Sequence, residues 1–254
     1  MALSSSYRAP SVARALKILQ LVADSNQGLG ISELARRLGI SKGTVSGICT
    51  QLEAGGALVR GPQSKRYSLG PVITALASRG SVYTRLKDVA GPELTRLRDE
   101  LNESFFLGVA TRDQITVVDT RQPAGVIGIS AGPGTRLPLT AGATGKVFLA
   151  GLPPQALERF LASGLPAHTP HSVTDPEQFK RQLHQVRTQG YALEQDEYLL
   201  GVWGVAVALG SEAGLPAALW SIGFTSAAKA GAQEKIARAL IKASRRINQT
   251  LAKA

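Results

Sequence analysis

The stretch Ile31-Ser32-Glu33-Leu34-Ala35-Arg36-Arg37-Leu38-Gly39-Ile40-Ser41-Lys42-Gly43-Thr44-Val45-Ser46-Gly47-Ile48-Cys49-Thr50-Gln51-Leu52 decides how the first third of this chain folds. Ile31, Leu34, Ala35 and Leu38 share one helical face, with Ser32 as the expected N-cap and Glu33 in the first turn. Gly39 ends that helix and Ile40 follows as a buried plug. Ser41 then caps a second helix, on which Val45, Ile48, Cys49 and Leu52 fall at i, i+3, i+4 and i+7. Two short helices joined by a three-residue turn containing Gly make a helix-turn-helix, whose second helix lies in a major groove. The outward face of that helix carries Lys42, Gly43, Thr44, Ser46, Gly47 and Thr50. These are small or hydroxyl-bearing, so the backbone can approach a groove wall while Ser and Thr donate to phosphates or base edges. Two interior glycines cost about 1 kcal/mol each relative to Ala. Close approach to a partner is a reason to keep them.

Working outward, Val12, Ala15, Leu16, Leu19 and Val22 predict a preceding helix with Ser11 as N-cap, stopping in the Asp24–Gly30 cluster of turn residues. Downstream, Leu58-Val59-Arg60 and Lys65-Arg66-Tyr67-Ser68-Leu69 flank the turn Gly61-Pro62-Gln63-Ser64. They read as a two-stranded wing tipped with Arg60, Lys65 and Arg66, suited to phosphate or minor-groove contact.

Charge agrees with this. The 254 residues carry a formal net charge of +11, and it is unevenly spread. Residues 1–85 hold 11 Lys/Arg against three Asp/Glu, a net +8, and the remainder holds 18 against 15, a net +3. A basic third on a near-neutral body implies an anionic polymer or surface as its partner. Charge alone admits a solvated face, RNA or a membrane surface; helix and wing turn it toward duplex DNA. The apolar runs Val202–Leu209 and Ala217–Ile222 are too short to span a bilayer. The start does not read as a signal peptide, and the single cysteine, Cys49, excludes an internal disulfide and points to the cytosol.

Beyond residue 70 a short helix over Pro71–Arg79 and a helical pattern over Val82–Leu101, with a break expected at Gly91-Pro92, form the connection. The expected domains are 1–70, a linker helix over 71–85, and 86–254. In the last, Ser104–Ala110 and Gln114–Asp119 predict a hairpin, Val126–Ala131 a third strand, and Gly204–Leu209 and Ala217–Phe224 a second hairpin. Helices are expected over Gly142–Leu152, Leu157–Leu161, Pro176–Thr188 and Ala232–Leu251. Hairpins without regular strand-helix alternation give an α+β domain with an antiparallel sheet.

Little in this half points to chemistry. A G-x-S-x-G nucleophile elbow is absent. Gly142-Ala143-Thr144-Gly145-Lys146-Val147 lacks the spacer and the Ser/Thr after Lys of a phosphate loop, and reads as a helix start whose free N–H groups suit an anion. His168, His171 and His184 have no metal-ligand spacing. Cys49 belongs to an apolar helix face, and Glu194, Asp196 and Glu197 have no second group that would define a reaction. No catalytic residue, metal or cofactor is expected.

The run Ser11–Leu69, with its helix-turn-helix and a wing ending Tyr67-Ser68-Leu69-Gly70, resembles the IclR-type transcriptional regulators. Leu137–Leu152, Thr169–Pro176, Gly190–Gly201 and Ala217–Ser221 are similar to the same family's effector domain, in the same order. The resemblance implies an N-terminal winged helix-turn-helix joined by a helical linker to a GAF-like antiparallel-sheet domain. It implies a small-molecule effector, an organic or aromatic acid, held by Ala143, Thr144, Glu194 and Ser221 with Val126, Ile129 and Leu137 as apolar walls. Two positions depart from the family: Trp203-Gly204 replaces a small polar residue and Gly223 a late-strand hydroxyl, which suits a larger or flatter ligand. Trp203 and Trp220 are equally compatible with core or dimer packing. The family's recognition helix usually carries Arg where this chain has Gly47, which implies an altered operator preference. A cytoplasmic, nucleoid-associated homodimer on a near-palindromic operator is expected, with a dimer of dimers as the larger assembly and no membrane partner. The rival reading is a basic architectural protein that binds DNA by charge alone.

Overall fold

The structure, a computed structural model, describes residues 9–78, 82–111, 114–124, 128–210, 216–228 and 231–253. The chain divides into two compact units, Met1–Ser81 and Val82–Ala254. The helix over Pro71–Ser78 therefore goes with the first unit, and the helix from Val82 opens the second.

The first unit runs α1 (Pro10–Ala23), α2 (Ile31–Leu38), α3 (Lys42–Ala54), β1 (Leu58–Arg60), β2 (Tyr67–Leu69) and α4 (Pro71–Ser78). Its core is Ile18, Val22, Leu29, Leu34, Val45, Cys49, Leu58 and Tyr67. Ser41 caps α3 as expected, its Oγ accepting from the Thr44 N–H at 3.1 Å. Two other expected caps move. Pro10, not a residue after Ser11, starts α1, because its fixed φ suits the first helical position, where the missing N–H has no role. Gly30, not Ser32, precedes α2. Leu29 exchanges both backbone hydrogen bonds with Tyr67 of the wing, at 3.0 and 2.8 Å, and this bridge sets where the chain leaves the extended state. Gly39 ends α2 at φ 66°, a left-handed C-cap that favours glycine.

The second unit runs α5 (Val82–Leu101), β3 (Ser104–Ala110), β4 (Gln114–Arg121), β5 (Arg136–Pro138), α6 (Gly142–Ala150), α7 (Pro154–Leu161), α8 (Pro176–Gln189), β6 (Ala192–Gln195), β7 (Val202–Leu209), β8 (Ala217–Phe224) and α9 (Ala232–Ala252). One six-stranded antiparallel sheet has the order β5-β4-β3-β8-β7-β6. Alternation along β7 sorts its two faces: Trp203, Val205, Val207 and Leu209 pack under α5 and α9, and Ala206 packs under α6 and α8. The α+β antiparallel expectation holds.

Two local expectations do not, and one strand was not expected. The break at Gly91-Pro92 is absent and α5 runs through Pro92. A proline removes one backbone bond, whereas Leu86, Ala90, Leu94 and Leu97 on that helix are all buried in the core. The strand over Val126–Ala131 fails over Gly128–Ala131, which form none; Val126 lies outside the described residues. The β4 edge is taken instead by Arg136–Pro138, paired with Gln114–Thr116. Finally, β6 is an edge strand with no counterpart among the expected elements.

Candidate functional site

Helix α3 turns Val45 and Cys49 inward and leaves Lys42, Gly43, Thr44, Gly47 and Thr50 exposed, with Ser46 half-buried. A Cβ added to Gly47 would meet nothing within 4 Å, and one on Gly43 only the Ser41 Oγ at 3.9 Å. Thr50 Oγ1 donates back to the Ser46 carbonyl at 2.9 Å, and Ser41 and Thr44 share a hydroxyl contact at 2.9 Å. Burial pushes the Cys49 thiol up to about 11, so it is an inert core group.

The three wing cations divide. Lys65 sits at the tip with φ 54° and makes no ion pair among the described residues. Arg60 places its guanidinium 5.7 Å from the centre of the Tyr67 ring. Arg66 is turned into its own unit. Its Nε donates to the Gln27 and Gly28 carbonyls at 3.2 and 3.1 Å, and its Nη2 meets Glu33 Oε2 at 3.2 Å. Arg66 thus braces the wing against α2, a use that the run Lys65-Arg66 does not announce.

In the second unit the expected effector residues fall into two groups. Glu194, Ala143 and Thr144 come together where α6 starts over β6, and all three are buried. The Glu194 carboxyl fills the space that Cβ atoms on Gly142 and Gly204 would take, at 2.8 and 3.0 Å, and its Oε2 accepts from the Glu197 N–H at 3.1 Å. Burial pushes this carboxyl up to about 7; the Glu197 N–H and Lys146 pull against that, and the Glu197 charge adds to it. Lys146, itself buried, donates to Glu197 Oε1 at 2.5 Å. The space beside this cluster, lined by Gly142, Lys146, His168 and Glu197, is about 20 Å³. His168 bonds Thr140 at 2.9 Å, and among the described residues no three metal-ligating side chains gather. Leu137 packs on the same side of the sheet, at the far edge strand.

Ile129, Trp203 and Gly223 belong to a different place. They line a cavity of about 570 Å³ at the end of the sheet, between the C-terminus of α5 and the start of α9. Strand register explains the separation. Glu194 pairs with Gly204 and Gly204 with Ile222, so Ile222 shares the Glu194 face; Gly223 pairs with Trp203 on the opposite one. Ser221 is on the Trp203 side too, paired with Phe105 and Val205, and its buried Oγ has no partner. Trp220, on the Glu194 side, is core: it stacks on Phe106 at 5.5 Å over Gly108. Asn102, Glu103, Gln122 and Lys235 also line the large cavity, and none was marked by the sequence. They come from separated segments, and only the folded chain joins them.

A winged helix-turn-helix with an open recognition face, followed by a separately packed sheet domain holding a ligand-sized cavity, defines the class of ligand-responsive transcriptional regulators. Residues 11–62 match the family pattern described as the IclR helix-turn-helix domain, and residues 82–249 that of the bacterial transcriptional regulator IclR C-terminal domain. The chain belongs to the IclR family. It is 32% identical over 200 residues to the HTH-type transcriptional regulator Rv1719 of Mycobacterium tuberculosis, covering 78% of this chain and 76% of that one. It is 34% identical over 209 residues to the regulator BhcR of Paracoccus denitrificans, covering 81% and 74%. Among solved structures, an IclR homologue from Microbacterium hydrocarbonoxydans complexed with 4-hydroxybenzoate superposes with a TM-score of 0.82 at 26% identity, over 96% of this chain and 100% of that one. An IclR regulator from Alicyclobacillus acidocaldarius gives 0.80 at 29%, over 96% and 99%. No helix among the described residues is long and apolar enough to cross a membrane.

Proposed function

We propose that this regulator reads a near-palindromic operator as a homodimer in the cytoplasm, and that an organic or aromatic acid bound in the Val82–Ala254 unit tunes that binding. The observation that carries the reading is the outer face of α3, where glycines and hydroxyls stand open on a winged helix-turn-helix. Two such helices in a dimer present themselves to half-sites about a helical turn or more apart. Ser41, Lys42, Gly43, Thr44, Ser46, Gly47 and Thr50 are the groove-facing set, with Arg60 and Lys65 on phosphate; Arg66 contributes by holding the wing in place. For the effector, support comes from the two polar places in the sheet domain and from the 4-hydroxybenzoate carried by a structural neighbour. The ligand acts by favouring one arrangement of the helices between residues 71 and 101 over another.

The test is binding to fragments of the protein's own promoter and to scrambled duplexes, with and without small organic acids. Tight binding to one fragment that shifts with an acid supports the reading. Equal affinity for all duplexes, with a steep salt dependence and no acid response, replaces it with architectural binding.

A further inference from the structure

The net +3 carried beyond residue 85 sits on one helix. Helix α9 holds five Lys/Arg against one Glu, a net +4, so the rest of that stretch, with 13 basic and 14 acidic residues, is a net −1. Lys235, Arg238, Lys242 and Arg245 recur at i, i+3, i+7 and i+10, and all four are exposed. At about 100° per residue they fall within an arc of about 80°. That arc is opposite the face that Ile236, Leu240, Ala243 and Ile247 bury in the core. We propose that this row is a second nucleic-acid contact, in which α9 lays its cations along the phosphates of duplex DNA without reading sequence. The inference rests on DNA binding by the first unit and is independent of any effector.

Three observations carry it. The helix itself does not favour the row: like charges three and four residues apart repel, and Lys235 stands in the first turn, where the helix dipole disfavours a cation. The row is also unpaired. Among the described residues none of its four side chains makes an ion pair or a hydrogen bond. Arg246, half-buried on the same helix, is by contrast held by both Glu93 oxygens at 2.7 and 2.8 Å, and Lys180 on α8 bridges Glu158 and Glu177. Length fits as well. The row is about 15 Å long, enough to meet about four phosphates at roughly 3.4 Å of duplex rise each. Holding a duplex through α3 raises the local concentration of phosphate for the rest of the same chain, so contacts that are weak one by one suffice. An anionic membrane is the rival partner. Helices that lie on membranes insert an apolar face, and that of α9 is already taken by the core, which favours DNA.

The experiment uses the full-length protein carrying Arg238→Gln, Lys242→Gln and Arg245→Gln together; Lys235 stays because it also borders the end cavity. Wild type and variant are titrated across salt with a promoter fragment and a scrambled duplex of equal length, and with phosphatidylserine vesicles. On both duplexes the variant should bind about tenfold more weakly at low salt, because phosphate contacts carry no sequence information. Its slope of log affinity against log salt should be shallower by about 2 to 3, at roughly 0.9 per contact. A second variant that keeps the charges, Arg238→Lys with Lys242→Arg and Arg245→Lys, should retain the wild-type slope. Unchanged slope and affinity in the first variant overturn the inference, as does an equal loss in both variants. A loss confined to the promoter fragment means that α9 reads sequence, and also overturns it. Vesicle binding lost with the DNA slope intact would assign the row to a membrane instead. The response of operator binding to small organic acids, followed in the same titrations, is expected to be the same in wild type and variant. Failure here therefore leaves the operator and effector readings standing.

Discussion

Helices α3 and α6 open on nearly the same letters, Lys42-Gly43-Thr44-Val45-Ser46-Gly47 and Gly142-Ala143-Thr144-Gly145-Lys146-Val147, and meet opposite fates. All nine residues of α6 are buried, whereas α3 buries only Val45 and Cys49. In α6 the fold itself demands glycine. A Cβ on Gly145 would run into the Leu139 carbonyl, and Gly142 lies at φ 47° against the Glu194 carboxyl. In α3 nothing among the described residues needs Gly47. The lysines differ likewise: Lys146 is buried and tied to Glu197, and Lys42 is exposed. A helix that keeps glycine at a cost, with empty space over it, is the one on which the proposed groove contact rests. One whose glycines are pressed by neighbours is shaped by its own core.

The sharpest way to break that contrast is Gly145→Ala. The added methyl overlaps backbone, which cannot swing aside, so a loss of about 3 kcal/mol is expected, at the upper end for overpacking. Urea unfolding measures it. A loss under about 1 kcal/mol would show that α6 is not held as tightly as its burial indicates.

Glu194 probes the same packing through pH. Its folded pKa, about 7, lies above its unfolded value near 4.5. A carboxyl raised in this way is stabilising while protonated, and that contribution is lost as pH rises from about 4.5 through 7. Over the window the wild type should lose up to about 3 kcal/mol relative to Glu194→Gln, which cannot ionise. Thermal melts of both proteins from pH 4.5 to 8 check the sign. Parallel curves would mean that Glu194 ionises as freely as a surface carboxylate.

These two helices also show what the amino-acid sequence could and could not convey. Ser41, Val45, Ile48, Cys49 and Leu52 announce α3 completely, because cap and core contacts lie within two turns of one another. The role of Arg66 was hidden, since its partners Gln27, Gly28 and Glu33 lie more than thirty residues away. The effector residues were legible as a set but not as a place. Whether Ser221 and Gly223 face Glu194 depends on strand register, and a one-residue change flips a side chain to the other face. Lys235 and Glu103 carried no local signal, being ordinary charged residues until the fold sets them round one cavity. The break expected at Gly91-Pro92 and the expected strand, over its described part Gly128–Ala131, failed for a related reason. Local propensity was outweighed by core packing in the first, and in the second the β4 edge was already taken by Arg136–Pro138.

On the exposed side of the comparison, Ser41→Ala removes the side-chain acceptor of the Thr44 N–H. Loss of such a cap costs about 1 kcal/mol, read as a lower melting temperature. Operator affinity should fall as well if, as proposed, the N-terminal end of α3 leads into the groove. A stability loss with unchanged affinity would restrict Ser41 to its structural role.

Gly47→Ala has the smallest effect on the fold and sharpens the contrast most, because it separates two quantities that usually move together. With nothing within 4 Å of the added methyl, alanine enters without strain and stabilises α3 by up to about 1 kcal/mol. If the empty space over Gly47 is where a groove wall comes, the same methyl should weaken operator binding about tenfold while non-specific affinity, carried by the lysines and arginines, stays within twofold. Melting curves and titrations on operator and scrambled duplexes give all three numbers from one protein preparation. A more stable protein with a weaker, less selective grip identifies the glycine as an adaptation to the partner. Unchanged selectivity would leave α3 with a glycine that neither the fold nor the DNA requires, and the distinction between it and α6 would reduce to burial alone.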